Sequence, residues 1–209
     1  MTDEKKSGLK AAYGLTSPED NRRLYADWAD SYDEDLRRDY DYVYPEAIAA
    51  LFEERGGAGP ILDIGCGTGL VGAALRTGPV DGIDLSPEML AIAAEKNVYR
   101  ALAEADLTAT LPLATGAYSG LISAGVFTIG AVGADALTEL VRVAAPGALF
   151  VLGINQKVFE TGGFDARFAA LADAGDITAP NFEARPIYGA DAAHANAADM
   201  FTAAVFHRR

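Results

Sequence analysis

The sequence predicts an α/β fold organised as a doubly wound, mostly parallel sheet, and three sets of residues predict it. Ile61-Leu62-Asp63-Ile64 is a short apolar run that reads as a parallel strand buried on both faces. It leads into Gly65-Cys66-Gly67-Thr68-Gly69 and then a helical pattern from Leu70. Val80-Asp81-Gly82-Ile83-Asp84-Leu85 is a second such run, with an acid at its carboxyl end. Glycine loop and acid are separated by about 20 residues, the spacing by which such a sheet presents a carboxylate to a ribose diol. Further strand-like runs at 101–105, 120–124 and 148–154 alternate with helical stretches, the pattern of repeated βαβ units.

Composition narrows the class. The chain has 209 residues, 50% of them hydrophobic and 22% charged, which predicts one globular domain able to form a core without staples. Residues 1–44 read as an N-terminal arm and lid helix, and 45–209 as the sheet-bearing core. The lone cysteine, Cys66, leaves no intramolecular disulfide and suits a reducing cytoplasm. Met1-Thr2-Asp3-Glu4-Lys5-Lys6 has no apolar run behind it, so no secretory signal is expected. No stretch approaches the roughly 18 apolar residues of a membrane span. A formal charge of −13 would repel a phosphate backbone, so small molecules are expected as partners rather than nucleic acid or membrane. The protein is expected to be a monomer or homodimer.

In chain order, Ser17-Pro18 with Glu19 and Asp20 behind it is a helix start, cap followed by first-turn proline. The helix is predicted to run to about Leu36, with Tyr25, Trp28, Tyr32 and Leu36 as one aromatic-apolar stripe. Packing against the sheet and roofing a ligand both account for that stripe. Tyr40, Tyr42 and Tyr44 alternate as in an extended linker. Pro45 opens a helix to about Glu54, closed by Gly56-Gly57. A helix over 70–76 precedes the second strand. Ser86-Pro87-Glu88-Met89 caps another, running to about Asn97. The fourth strand, 120–124, should end in a loop, Gly125-Val126-Phe127-Thr128-Ile129-Gly130. Asp135 starts a helix over 136–145 with Leu137, Leu140, Val141 and Val143 buried, and Glu139 with Arg142 reads as a solvated i,i+3 pair. A helix over 164–172 stops at Gly175, and Phe182–Tyr188 and Phe201–His207 alternate like an antiparallel pair. Neither His194 nor His207 has an acid or cysteine at ligand spacing, so no metal site is expected.

A dinucleotide fingerprint, G-x-G-x-x-G, would need a third glycine where Leu70 stands. Asp63-x-Gly65-x-Gly67-x-Gly69 instead resembles motif I of the class I S-adenosylmethionine-dependent methyltransferases, and Asp84-Leu85-Ser86-Pro87-Glu88-Met89-Leu90 is similar to their second motif. Tyr25-Ala26-Asp27-Trp28-Ala29-Asp30-Ser31-Tyr32-Asp33 looks like the N-terminal segment of a subgroup similar to the methyltransferase-like protein deleted in Williams–Beuren syndrome. The resemblance implies a Rossmann-like seven-stranded sheet with a reversed C-terminal hairpin, and S-adenosylmethionine as cofactor. It implies a cofactor site at Trp28, Tyr32, Asp63, Gly65, Cys66, Gly67, Gly69, Asp84, Leu85, Met89, Ala105, Asp106, Leu107, Ser123 and Gly125. Within it Asp84 takes the ribose, Asp106 the adenine amine, and Trp28 with Tyr32 the methionine end.

Tyr25, Phe127 and Thr128 are the acceptor-pocket candidates, for a small-molecule acceptor. The chain lacks the Asn/Asp-Pro-Pro-Tyr/Phe run of amino methyltransferases acting on adenine or glutamine. It has Thr128-Ile129 where many small-molecule members carry a histidine pair, and Ser119 where an acid is usual. No general base is therefore identified. A protein that holds the cofactor or S-adenosylhomocysteine without turnover remains the alternative, and a nicotinamide-linked oxidoreductase a more distant one.

Overall fold

The computed structural model describes Trp28, residues 31–36 and residues 40–209, and in it the alternating runs form one seven-stranded sheet. Helix α1 (Tyr44–Glu54) precedes β1 (Ile61–Ile64), α2 (Leu70–Ala74), β2 (Val80–Asp84), α3 (Pro87–Glu95) and β3 (Ala101–Glu104). Then come β4 (Tyr118–Phe127), α4 (Ala136–Val143), β5 (Ala144–Asn155), α5 (Gln156–Thr161), α6 (Phe164–Asp173), β6 (Asn181–Pro186) and β7 (Met200–His207). The sheet order is β3-β2-β1-β4-β5-β7-β6. The first five strands pair in parallel, and β7 lies antiparallel between β5 and β6. This is the expected doubly wound sheet with its reversed hairpin.

Strand periodicity divides the core in two, because successive side chains point to opposite faces. Leu62 and Ile64 of β1 join a cluster with Leu137 and Leu140 of α4 and Phe164 and Phe168 of α6. Ile61 joins the other cluster, with Ile48, Leu51 and Phe52 of α1. Successive connections leave β1 towards β2 and then return to β4 on its other side, so the crevice at the carboxyl ends of β1 and β4 is the switch point where such sheets take ligands.

Several boundaries differ from the sequence reading for identifiable reasons. Tyr44 is the first residue of α1 rather than part of an extended linker; its ring stacks on Phe201 at 4.0 Å between centroids. Helix α2 stops at Ala74 because Leu75 turns to extended backbone, and Glu53 accepts the N–H of Arg76 at 2.6 Å. Strand β4 continues through Gly125-Val126-Phe127, with an irregular register against β5 that absorbs the glycine. Helix α5, which no apolar periodicity announces, is capped by Asn155, whose side chain accepts from Lys157 N at 3.0 Å. Glu139 and Arg142 do more than form a solvated pair. Arg142 donates to the carbonyls of Leu111 and Leu113 at 3.1 and 3.0 Å, and Glu139 accepts the Leu111 N–H at 2.7 Å. Together they fasten the 111–113 spacer to α4. Among the described residues no helix is long and apolar enough to cross a membrane.

Gly153, in β5, is required by this packing: a Cβ there would overlap the ring and hydroxyl of Tyr44. Overpacking a filled core typically costs about 1–3 kcal/mol. Gly153→Ala is therefore expected to lower stability by about that amount, read as a shift in urea midpoint at unchanged slope; a midpoint equal to wild type would show that Tyr44 is free to move.

Candidate functional site

Asp84 ends β2, where its carboxylate is held by two backbone donors. Gly67 N donates to Oδ2 at 2.8 Å and Ser86 N to Oδ1 at 2.9 Å. Burial pushes the Asp84 carboxyl up, and these N–H groups draw it back down. Ser86 also caps α3, its hydroxyl accepting from Met89 N at 3.2 Å. The glycine loop, the acid and the start of α3 are thus one bonded unit. Gly67 has φ +53° and open space where a Cβ would sit, so the loop backbone faces the cavity bare.

One cavity runs from this unit past the ends of β3 and β4. Its wall includes Trp28, Tyr32, Gly65, Gly67, Asp84, Leu85, Met89, Ala105, Asp106, Leu107, Gly125, Phe127 and Thr128 among the residues expected from sequence. Asp106 Oδ1 accepts the N–H and hydroxyl of Thr108 at 2.8 and 2.7 Å, which fixes the turn after β3. Phe127 belongs to strand and cavity at once: it is fully buried, edge-on to Phe164 at 5.6 Å, and still borders the cavity. Trp28 and Tyr32 meet edge to face at 4.7 Å, Leu36 beside them is 1% exposed, and all three border the cavity.

Asp63, Cys66, Gly69 and Ser123 are not brought to the cavity wall. Asp63 points into the core, where the Tyr99 hydroxyl donates to its Oδ2 at 2.7 Å. Gly72 lets Tyr99 through, since a Cβ there would overlap the phenol ring. Cys66 is 6% exposed, and burial followed by the charges of Asp63 and Asp84 keeps its thiol protonated. Gly69 is the left-handed N-cap of α2, and Ser123 is fully buried. Tyr25 lies outside the described residues, as do Ser17 and Pro18.

The far wall was not anticipated. Tyr42, Tyr44, Ile187 and Tyr188 line it, together with Asn155. It forms where residues 40–44 meet the β6–β7 connection. Val43 N donates to Ile187 O at 3.1 Å, Gly189 N to Asp41 O at 2.7 Å, and Asp191 N to Asp41 Oδ2 at 3.1 Å. His194 is placed in that connection as expected, edge-on to Tyr40 and Tyr188 at 5.1 and 4.4 Å, behind the wall rather than in it. The only sequence signal was the tyrosine alternation at 40–44. No group of three or more potential metal ligands exists among the described residues.

A family model described as a methyltransferase domain matches residues 62–152, the stretch that carries the glycine loop, Asp84, Asp106 and the end of β4. Residues 62–152 are thus similar to a methyltransferase domain. Human methyltransferase-like protein 27 is 31% identical to the chain over 156 residues, 71% of this chain. The chain spans 63% of that relative's length. Among solved structures, a TehB-like S-adenosylmethionine-dependent methyltransferase from Corynebacterium glutamicum superposes with a TM-score of 0.61 at 22% identity, covering 90% of this chain and 99% of that one. The [4+2]-cyclase SpnF superposes with 0.64 at 18% identity, covering 93% and 97%. At these identities the likeness to the solved structures is one of fold.

Burial pushes the Asp63 carboxyl of this domain up to about 7, with the Tyr99 hydroxyl and the Gly72 N–H acting against it. A carboxyl raised from an unfolded value of 3.8 adds stability below that pH and loses it as pH rises through about 7. Asp63→Asn is expected to match wild type near pH 4 and to gain on it steadily towards pH 8 in urea titrations. A constant difference across that range would mean that Asp63 stays ionised in the fold.

Proposed function

We propose that the protein transfers the methyl group of S-adenosylmethionine to a small-molecule acceptor by in-line displacement. The observation that carries this reading is the Asp84 carboxylate, facing the cavity with one backbone N–H on each oxygen. A carboxylate has about four lone-pair sites, so each oxygen keeps capacity for a ribose hydroxyl. The bare backbone at Gly67 fits close approach of the cofactor's methionine portion. Asp106 would accept from the adenine amine, with Leu85, Met89, Ala105 and Leu107 against the ring. Trp28 and Tyr32 would cover the methionine end, and Phe127 and Thr128 would face the acceptor beside Tyr42 and Tyr188. Asp63, Cys66, Gly69 and Ser123 would support the loop from behind.

The sulfonium of the bound cofactor supplies an already activated methyl group. What the chain contributes is alignment of the acceptor and exclusion of water. The uncharged aromatic lining around Gly125 favours a flat or apolar acceptor. Membership of the subgroup similar to the Williams–Beuren protein is part of the same proposal, supported by the segment 25–33. One observation favours a second reading, a ligand-holding protein without turnover: Thr128-Ile129 stands where that subgroup often has two histidines.

Titration calorimetry with S-adenosylmethionine and S-adenosylhomocysteine, with NAD as control, tests the cofactor. Micromolar binding of the first two is expected, and Asp84→Ala is expected to weaken it about tenfold or more, each charge-assisted hydrogen bond contributing ~1.5–3 kcal/mol. Unchanged affinity would remove Asp84 from the site. Release of S-adenosylhomocysteine together with a methylated acceptor separates the enzyme from the holding protein.

A further inference from the structure

The helical segment 31–36 puts Tyr32 and Leu36 on the cavity wall, yet Asp33, between them in sequence, is not part of that wall. Asp33 is engaged elsewhere. Its Oδ1 accepts the Thr68 hydroxyl at 2.5 Å, and its Oδ2 pairs with Lys96 Nζ at 2.6 Å. Thr68 sits between Gly67 and Gly69 in the glycine loop and is 2% exposed. Lys96 is the C-cap of α3, the helix that begins at the Asp84–Ser86 unit. One carboxylate therefore ties the roofing segment to both elements that carry the Asp84 end of the cavity.

The pair is only partly open to solvent, with side-chain exposures of 20% for Lys96 and 26% for Asp33. A second fastening acts within the segment: Asp35 accepts from Trp28 Nε1 and from the Ser31 hydroxyl, each at 2.8 Å. That contact orders the turn between Trp28 and Asp35. The link runs through Asp33, with the apolar seat of Trp28 and Leu36 on Leu70 beside it.

We propose that Asp33 is a positioning residue that latches segment 31–36 over the cofactor and so sets the rate at which the cofactor and its product leave. The proposal rests on the reading of the cavity as the S-adenosylmethionine site. Asp33 acts through Tyr32 and Trp28, which it seats, and through Thr68, whose hydroxyl it orients. Because both of its bonds end on the loop and helix that hold the ligand, seating of the segment and order in the glycine loop rise and fall together. A partly exposed ion pair is screened by salt, so release should quicken with ionic strength in the wild type.

The test measures association and dissociation of S-adenosylhomocysteine by stopped-flow fluorescence of Trp28, the single tryptophan, for wild type, Asp33→Asn, Lys96→Met and Thr68→Val. Amide exchange is followed over residues 31–36 with and without ligand. Asp33→Asn is expected to speed dissociation about tenfold, to abolish its salt dependence, and to leave segment 31–36 of the complex exchanging as in the free protein. Lys96→Met is expected to lose the salt dependence with a smaller gain in rate, and Asp33→Asn/Lys96→Met to be no faster than Asp33→Asn alone. Thermal midpoints of the free proteins identify a merely structural role: a lowered midpoint with wild-type dissociation and exchange overturns the latch. Wild-type release in all three variants overturns it too, and leaves the cofactor reading standing. Absence of binding to the wild-type chain overturns both.

Discussion

Asp84 accepts the N–H groups of Gly67 and Ser86, and through those two bonds the end of β2 fixes the glycine loop and the first turn of α3 against each other. Burying a carboxylate is unfavourable unless donors surround it. Here the donors are backbone groups that the loop and the helix start would otherwise leave without partners. The constraint is therefore mutual: the backbone N–H groups offset part of the burial that pushes the Asp84 carboxyl up, and the backbone holds its shape because the acid is there. Every residue on the near wall of the cavity follows in sequence from this unit or lies across from it.

The second organising feature lies beneath the loop. Tyr99 enters where Gly72 offers no side chain, and its hydroxyl donates to Asp63 Oδ2. The first acid of the glycine motif is thus occupied with supporting the loop, and the second with facing the cavity. Asp63 and Asp84 stand two register positions apart on adjacent parallel strands and have been given different partners. Their neighbours decide it: a phenol below one, and open backbone N–H groups beside the other.

Much of this was legible from residues close together in sequence. The strands, the cap at Ser86, the proline at the start of α3 and the spacing from loop to acid are local signals, and the structure has all of them, with β4 and β5 several residues longer than their apolar runs. So is the terminal hairpin, although β7 is buried on both faces rather than one. What local reading could not supply were contacts made at a distance. Glu139 and Arg142 look like an exposed helical pair until the 111–113 spacer is laid across them. The Tyr99 hydroxyl that donates to Asp63 Oδ2 comes from 36 residues further on, and no local pattern announces it. Tyr42 and Tyr188 show their common wall only after the last two strands have paired. Asp33 closes the segment 25–33, but nothing local announces its partners, which lie 35 and 63 residues away.

The two walls of the cavity are consequently different kinds of object. Apart from the roof of Trp28, Tyr32 and Leu36, the near wall is drawn from residues 65–108 and 124–132, and its shape is written in the turns at the ends of β1 to β4. Asp41 and the residues after it close the far wall against Gly189 and Asp191, a junction spanning 150 positions of sequence. That junction lies in a loop between two edge-side strands, where insertions and exchanges disturb little of the sheet. A lineage could rewrite the far wall repeatedly while the near wall, bound to the Asp84 unit, stayed as it is. The architecture separates what a descendant must inherit from what it is free to change.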